Sequence, residues 1–309
     1  MLITPTFFKL ISYEDVNVEA SIVVYDKNIS SPEITKYGSG IGIQTDFEEL
    51  MEIQQSDWIT NRNFIIDTTS STNESEILKK IKIKSSPLEN YYYVRVGLQA
   101  YEQGKAIPKQ TKEDVKNHIF DYTYKFDDTT YKYLGGSDVK RYCIKWSGQW
   151  LRYGPWLSQP KTIDQFSEPR ILIREITSRF PFVLEAGYID DIFLNNKSIL
   201  NILQKKAEID LFSLLGYLNS KLISFYHIRQ TVKGNRNLFP KIVIKDLKNY
   251  PVLVNEVFLK ISPLAKVIHE KKCASSVADT NLIEKQIDRL VYELYSLTEE
   301  EIRIVENSL

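Results

Sequence analysis

Cysteine and histidine are scarce in this sequence, which limits the metal and redox chemistry available to it. Its only cysteines, Cys143 and Cys273, lie far apart, and its histidines, His118, His227 and His269, form no spaced cluster with carboxylates. This pattern predicts no metal site and no disulfide framework. The two cysteines are instead interpreted as ordinary thiols of a protein in a reducing compartment. His227, on a predicted helix, is expected to be packed or solvated.

Long hydrophobic runs are also absent. No apolar segment approaches the roughly 18–20 residues that a membrane-spanning helix requires, and the first residues lack the pattern of a signal peptide. The composition, 43% hydrophobic and 26% charged, is that of an ordinary globular protein. We therefore expect a cytoplasmic protein of two or three domains, with no membrane partner.

The loops on which nucleotide and phosphate chemistry depends are missing as well. The sequence contains no Gly-x-Gly-x-x-Gly after a strand and no Walker-type loop ending in Gly-Lys-Ser/Thr. The acidic pairs Asp127–Asp128 and Asp190–Asp191 are interpreted as turn or cap residues. We predict no catalytic residue and no self-contained active site on this chain.

The chain has no net charge, but its charges are distributed unevenly. Residues 1–78 carry 4 Lys/Arg and 13 Asp/Glu (−9), residues 79–248 carry 29 and 17 (+12), and residues 249–309 carry 7 and 10 (−3). A basic centre between acidic flanks is typical of a region that binds a polyanion while its flanks face protein.

Basic and aromatic residues are interleaved in segment 134–179, which holds three of the four tryptophans. This combination indicates a nucleic-acid surface. It equally fits an ordinary half-buried β region with solvated Lys and Arg. Residues 170–177 alternate apolar and polar side chains, which predicts a half-buried strand that displays basic residues on one side.

Hydrophobic periodicity predicts an α+β fold, with a mixed and antiparallel β region, packed helices and a helical C-terminal tail. The predicted strands are 16–25, 64–67, 91–97, 170–177, 183–188, 192–194 and 242–245. The predicted helices are 46–55, 112–120, 210–229 and 281–295, with a last short helix that begins at a capping box, Thr298–Glu301. Residues 68–76 and 230–237 are predicted loops. The continuous apolar run at the end of strand 16–25 suggests a strand buried in a parallel sheet.

A set of motifs occurs in a fixed order after residue 96. They are Gly97–Lys105 (GLQAYEQGK), Leu134–Tyr142 (LGGSDVKRY), Trp150–Gly154 (WLRYG), Phe166–Arg174 (FSEPRILIR), Leu218–Leu222 (LNSKL) and Phe239–Lys241 (FPK), followed by Ile287–Tyr295 and Leu297–Ile302. Together they resemble the TaqI-like C-terminal specificity domain. That domain is the target-recognition domain of adenine-specific DNA methyltransferases and of fused restriction–methylation enzymes.

The resemblance implies a domain division and a role. Residues 1–85 would be the end of a methyltransferase domain plus a linker, 86–252 the DNA target-recognition domain, and 253–309 the helical tail. Because the catalytic Asn/Asp-Pro-Pro-Tyr/Phe motif is absent, the chain would recognise double-stranded DNA without catalysing methylation. S-adenosylmethionine would then be bound by a methyltransferase partner or by a missing domain, and the chain would be a fragment or a separate subunit.

Within the resembling motifs, certain side chains are predicted to contact DNA, because Arg forks bond guanine and basic residues bond phosphate. The candidates are Lys140, Arg141, Tyr142, Arg152, Tyr153, Arg170 and Arg174, with Lys233 and Arg236 in the loop after the long helix. For Tyr142, Trp150 and Tyr153, burial in the β core is an equal alternative. For Arg174, the alternative is an ion pair with Glu175 or Glu185.

Two other functions are compatible with this sequence. The chain could be an interaction subunit whose basic face binds protein or RNA. It could also be a nuclease or methyltransferase subunit with an unrecognised active site.

Overall fold

The computed structural model of the chain describes residues 6–11, 20–23, 34–41, 51–54, 72–205, 209–230 and 241–308. The chain divides into two compact units, residues 1–76 and 77–309. The helices after residue 253, which the sequence sets apart as a tail, belong to the second unit together with the predicted recognition domain.

In the first unit, the described strands form one four-stranded sheet in the order β2-β1-β3-β4. The strands are β1 (Thr6–Ile11), β2 (Ala20–Val23), β3 (Ile34–Ile41) and β4 (Met51–Gln54). The pairing of β1 with β3 is parallel, whereas β1–β2 and β3–β4 are antiparallel.

Two sequence-based predictions change in this unit. Within predicted strand 16–25, residues 20–23 are a strand, but it pairs antiparallel with β1 and is not part of a parallel sheet. Within predicted helix 46–55, residues 51–54 are strand β4, because pairing with β3 overrides the local helical pattern. The remaining residues of both segments, and all of predicted strand 64–67, lie outside the described residues.

The second unit combines short strands with helices. Its strands are β5 (Ser86–Pro87), β6 (Tyr92–Val96), β7 (Asp121–Tyr122), β8 (Thr130–Leu134), β9 (Val139–Lys140), β10 (Cys143–Ile144), β11 (Trp150–Arg152), β12 (Arg170–Arg174), β13 (Ala186–Ile189), β14 (Leu194–Asn195), β15 (Ile199–Gln204) and β16 (Pro251–Val252). Its helices are α1 (Thr72–Lys84), which begins just before the unit, α2 (Lys112–Asn117), α3 (Asp164–Ser167), α4 (Leu211–Leu218), α5 (Lys221–Gln230), α6 (Ile244–Lys248), α7 (Glu256–Leu259), α8 (Ile261–Ala274), α9 (Asn281–Leu294) and α10 (Glu299–Glu306).

Two four-stranded sheets organise this unit. The first sheet has the order β13-β12-β15-β6 and is antiparallel throughout. The second has the order β14-β8-β11-β7, with β14 parallel to β8 and the other pairs antiparallel. Hairpin β9–β10 and the pair β5–β16 complete the described strands. The predicted mixed and antiparallel α+β fold is confirmed.

The main core lies between the first sheet and the helices. Apolar residues of strands β6, β12 and β15 pack in one cluster with those of helices α1, α4, α5, α8 and α9. The opposite side of the first sheet is also covered, since Leu172 and Ile199 pack with Leu134, Val139 and Phe193. The second sheet has its own small cluster around Leu151 and Phe166. Strand β12 is therefore buried on both faces rather than on one.

The predicted long helix 210–229 is two helices. Asp210 caps α4, as predicted, by accepting from the Ser213 amide at 2.8 Å. The helix then breaks at Asn219, whose side-chain amide donates to the Ala186 carbonyl at 2.9 Å and whose side-chain oxygen accepts from the Ala186 amide at 3.2 Å. A tertiary contact with strand β13 thus interrupts a continuous helical pattern.

Of the other predictions of local structure, some are confirmed and some are wrong. Helix α1 includes residues 72–76 of the predicted loop, because Ile77 and Ile81 dock in the main core. Predicted strand 242–245 is wrong, since helix α6 begins at Ile244. The final capping box is confirmed: Thr298 accepts from the Glu301 amide, and Glu301 from the Thr298 amide. None of the helices in the described ranges has the length and hydrophobicity needed to cross a lipid bilayer.

Candidate nucleic-acid interface

Hairpin β9–β10 carries the first predicted DNA-contacting residues. It packs directly on strand β13, where the Tyr142 amide donates to the Ala186 carbonyl at 2.7 Å. Tyr142 has a φ of 70°, in the left-handed region, and its side chain is 1% exposed. Burial raises the pKa of its phenol. The ring of Tyr142 is therefore part of the main core, which is the alternative that the sequence left open for it. Its contact with DNA stays a prediction.

Arg141 points from the hairpin toward the C-terminal helices. Its guanidinium lies 2.6 Å from the carboxylate of Glu284 on α9 and donates to the Asn219 carbonyl at 3.1 Å. The guanidinium carbon also stacks 3.6 Å from the ring centroid of Phe182. About a fifth of the side chain (21%) is exposed. Arg141 is thus placed as a bridge between the hairpin and α9, and its contact with DNA stays a prediction.

Arg170 is a clear correction to the sequence-based expectation. Its exposed fraction is 0%, and its guanidinium donates to the Phe193 carbonyl at 2.7 Å, the Glu168 carbonyl at 3.0 Å and the Asn201 side chain at 3.2 Å. Burial lowers its pKa to about 10. Because strand β12 is covered on both faces, Arg170 has no surface to offer to a base or a phosphate.

Arg174 forms one of the two ion pairs left open by the sequence. Its partner is Glu185, at 3.5 Å, while Glu175 pairs with Lys241 at 3.4 Å. Arg174 also donates to the Ile176 carbonyl at 2.6 Å. These contacts hold the guanidinium beside strand β12, so a DNA contact would require Arg174 to leave them.

Arg152 and Tyr153 lie at the end of β11 in the second sheet. Arg152 bonds the carboxylate of Asp127 at 2.9 Å and stacks 4.8 Å from the Trp156 ring centroid. The Tyr153 hydroxyl donates to the Lys161 carbonyl at 2.5 Å. Both side chains are partly exposed. They stay candidates for DNA contact, although each already has a partner within the protein.

Among the predicted cations in the described part of the chain, Lys140 is the most accessible. It is exposed on strand β9 and contacts no carboxylate among the described residues. Lys233 and Arg236 lie outside the described residues, and their DNA contacts stay predictions.

Sequence reasoning missed a larger group of accessible cations. Besides Lys140, nine basic side chains in residues 86–252 are exposed and contact no carboxylate in the described part of the chain. They are Arg95, Lys105, Lys109, Lys112, Lys116, Arg179, Lys197, Lys205 and Lys245. Four of these cations, Lys105, Lys109, Lys112 and Lys116, are three or four residues apart in the sequence. This spacing is the sequence signal that could have identified them as a group. Bonding geometry alone favours arginines in strands, because the guanidinium can bond two acceptors of guanine at once.

A separate cavity of about 940 Å³ lies between α9, α10 and the start of α5. Among the residues that line it, Asp288 is buried and accepts from the Lys221 amide at 2.9 Å. Burial raises the pKa of Asp288 to about 6. The cavity has both basic and acidic walls, including Lys285 and Glu306, which does not suit a simple polyanion. Across the described ranges, no group of three or more His, Cys, Asp or Glu residues could hold a metal ion.

Residues 131–252 match the family model described as the TaqI-like C-terminal specificity domain. A curated relative is the Methanocaldococcus jannaschii protein named "Putative type II restriction enzyme and methyltransferase RM.MjaORFECS2P". It is 26% identical over 219 residues, which is 69% of this chain and 18% of the relative. The chain thus spans about a fifth of the length of that relative.

Two solved structures of restriction enzymes are similar to this chain. The type IIL restriction–modification enzyme MmeI, solved in complex with DNA, gives a TM-score of 0.51 at 11% identity, over 97% of this chain and 44% of MmeI. The type IIG restriction endonuclease BpuSI gives 0.44 at 10% identity, over 94% and 43%.

The similarity to MmeI identifies the class of fold: the chain shares its α+β fold with part of MmeI. Within that fold, residues 131–252 are the part of the chain that matches the model of the TaqI-like C-terminal specificity domain. The resemblance found from the sequence motifs is confirmed for this region, which contains hairpin β9–β10, both halves of the broken helix and strand β12.

Proposed function

We propose that this chain recognises a specific sequence of double-stranded DNA as the specificity part of a restriction–modification system. The observation that carries the proposal is the family match over residues 131–252. The accessible cations of the same unit support it, because lysines without carboxylate partners can bind phosphates without breaking internal ion pairs. A cytoplasmic location, with access to DNA, is part of the same proposal.

Catalysis in this proposal belongs to another polypeptide or domain. A methyltransferase part would bind S-adenosylmethionine and transfer the methyl group, while this chain would hold the duplex in register. The M. jannaschii relative supports this arrangement, since its name joins restriction and methylation and this chain matches a minor part of it. Methyl incorporation into DNA should therefore be absent with this chain alone and appear when such a part is supplied.

Selection from a randomised duplex library, followed by gel-shift titration of the selected site, tests the proposal. We expect one preferred site and an affinity that falls by about 10³- to 10⁵-fold between 50 and 200 mM salt if six to ten phosphates are contacted. Single-stranded RNA of equal length serves as the competitor. Absence of duplex binding at low salt, or stronger binding of the RNA, would overturn the proposal.

A further inference from the structure

The loop Gly104–Gln110 presents a large apolar side chain to solvent. Ile107, at the middle of this loop, is 77% exposed. The loop precedes α2 and packs beside the second sheet near Trp156. Exposure of a branched apolar side chain to this extent is unfavourable in water, because it forgoes the free energy of burial.

The loop is exposed although internal hydrogen bonds hold it in place. The buried side chain of Gln110 holds it from inside, donating to the carbonyls of Ala100 and Trp156 at 2.8 Å each. The side-chain oxygen of Gln110 accepts from the Glu102 amide at 2.9 Å. All three of these partners are backbone groups, so the loop is clamped whatever their side chains are.

Backbone bonds fix the tip itself. The Ile107 amide donates to the Pro155 carbonyl at 3.0 Å, and the Gly104 amide to the Gln110 carbonyl at 2.9 Å. Ala106, next to Ile107, has a φ of 77°, a left-handed conformation that is strained for a residue with a side chain. The fold therefore maintains Ile107 in its exposed position at a conformational cost, which is characteristic of binding loops.

Lysines surround this apolar tip. Lys105 and Lys109 flank Ile107 in the loop, and Lys112 and Lys116 follow on α2. All four are exposed, and none contacts a carboxylate in the part of the chain that the structure describes.

The neighbouring acidic residues are largely occupied within the protein. Glu102 accepts from the Gln99 side chain at 2.9 Å and from the Ser158 hydroxyl at 3.2 Å. Asp114 accepts from the Thr111 amide at 2.7 Å in the cap of α2. Glu113 is exposed and makes no such bond with any described residue. The surface around Ile107 is thus apolar at its centre and mainly cationic at its rim.

Duplex DNA has the complementary arrangement: two rows of phosphates border a groove whose floor is formed by stacked bases. Apolar side chains such as Ile and Pro insert at base steps in this way while cations contact the flanking phosphates. We propose that the loop Gly104–Gln110 enters a groove of the recognised duplex, with Ile107 against a base step and Lys105 and Lys109 on the bordering phosphates. This inference rests on the proposed function and adds a contact site to it.

The test compares exposed isoleucines in the full-length chain. Ile107→Ala is matched with Ile83→Ala on α1, since Ile83 is 84% exposed and lies outside the loop. The probe is the selected duplex, with 2-aminopurine placed at each step in turn to report unstacking. We expect Ile107→Ala to weaken binding at least about fivefold and to abolish the fluorescence rise that the wild-type chain produces at one step. Ile83→Ala should leave both unchanged.

A second pair of variants tests the rim. Lys105→Ala/Lys109→Ala should reduce the slope of log affinity against log salt by about 1.8, because each phosphate that a lysine neutralises adds about 0.9 to that slope. The control Lys260→Ala/Lys266→Ala removes two exposed lysines of the C-terminal region and should not change the slope. Thermal unfolding of all variants verifies that they fold.

The outcomes separate the two proposals. If the wild-type chain does not bind duplex DNA, the proposed function and this inference are both contradicted. Specific binding that is equal for the Ile107 and Ile83 variants, with unchanged salt slopes, overturns the loop contact alone. The Ile107→Ala variant could instead retain DNA binding and associate less well with a methyltransferase part. That result would assign the tip of the loop to a protein interface and would also overturn the inference.

Discussion

The guanidinium of Arg141 lies 2.6 Å from the carboxylate of Glu284, joining hairpin β9–β10 to helix α9. Arg141 belongs to the family-matched region, whereas Glu284 lies beyond its end at residue 252. Glu284 in turn accepts from the Thr280 hydroxyl at 2.5 Å. The C-terminal helices are therefore bonded to the specificity domain by a largely buried ion pair, and not only by apolar packing.

Replacing Arg141 by Ala should lower stability more than DNA affinity. The change leaves Glu284 (8% exposed) without its cation. We expect a loss of about 2–3 kcal/mol, less than the 3–5 kcal/mol typical of a fully buried pair because Arg141 retains some solvent contact. Urea unfolding measures the loss. Lys140→Ala, on the adjacent exposed lysine, is the control and should weaken DNA binding without changing stability. A stable Arg141→Ala variant with weak DNA binding would instead identify Arg141 as a reader of bases.

Arg170→Met should destabilise the second unit strongly. Methionine fills part of the space but leaves the carbonyls of Phe193 and Glu168 without their donor. Loss of charged hydrogen bonds at buried acceptors is expected to cost about 3 kcal/mol or more. Arg179→Met, at an exposed position, is the matched control. Equal unfolding midpoints for the two variants in urea would contradict the structural role of Arg170.

Asp288 should make stability depend on pH. Its pKa is raised from 3.8 to about 6 by burial, opposed by the Lys221 amide, Lys221 and Arg141 and assisted by Glu306. Because the folded state binds this proton more tightly, the contribution is favourable below about pH 4 and is lost as pH rises through about 6. The loss amounts to at most about 3 kcal/mol.

Asp288→Asn isolates this contribution, since the amide oxygen can still accept from the Lys221 amide. The variant should match the wild-type chain near pH 4 and exceed its stability at pH 8, measured by urea unfolding across that range. A difference that is constant with pH, or that has the opposite sign, would show that Asp288 does not titrate in this way.

Gly187→Ala should displace hairpin β9–β10. A Cβ at this position would lie 2.6 Å from the Cys143 carbonyl oxygen and 2.8 Å from a methyl group of Ile144. The carbonyl is backbone, so the hairpin has to move, and overpacking of this kind costs about 1–3 kcal/mol. We expect a lower melting temperature together with weaker DNA binding through Lys140. Gly136→Ala, whose Cβ meets flexible side chains no closer than 3.3 Å, is the control and should be milder. Equal effects would contradict the close packing at Gly187.

Periodicity and caps, which are local, could be predicted well. Strand β6, helices α2 and α9 and the caps at Asp210 and Thr298 follow from residues within a few positions of one another. The ordered motifs also identified the family of residues 131–252. Predictions failed where a distant contact overrode the local pattern, as at Asn219, which breaks a helix by bonding strand β13.

The same distinction between local pattern and distant contact applies to the candidate site. The sequence by itself determined that a basic, aromatic β region lies between acidic flanks and that its motifs are those of a specificity domain. Only the tertiary structure decided which cations are available: Arg170 is enclosed by its own carbonyl acceptors and Arg141 bonds Glu284, while Lys105 and Lys109 flank an exposed isoleucine. The physical reason is that charge and periodicity are local properties, whereas burial and ion pairing depend on neighbours that folding brings from elsewhere in the chain.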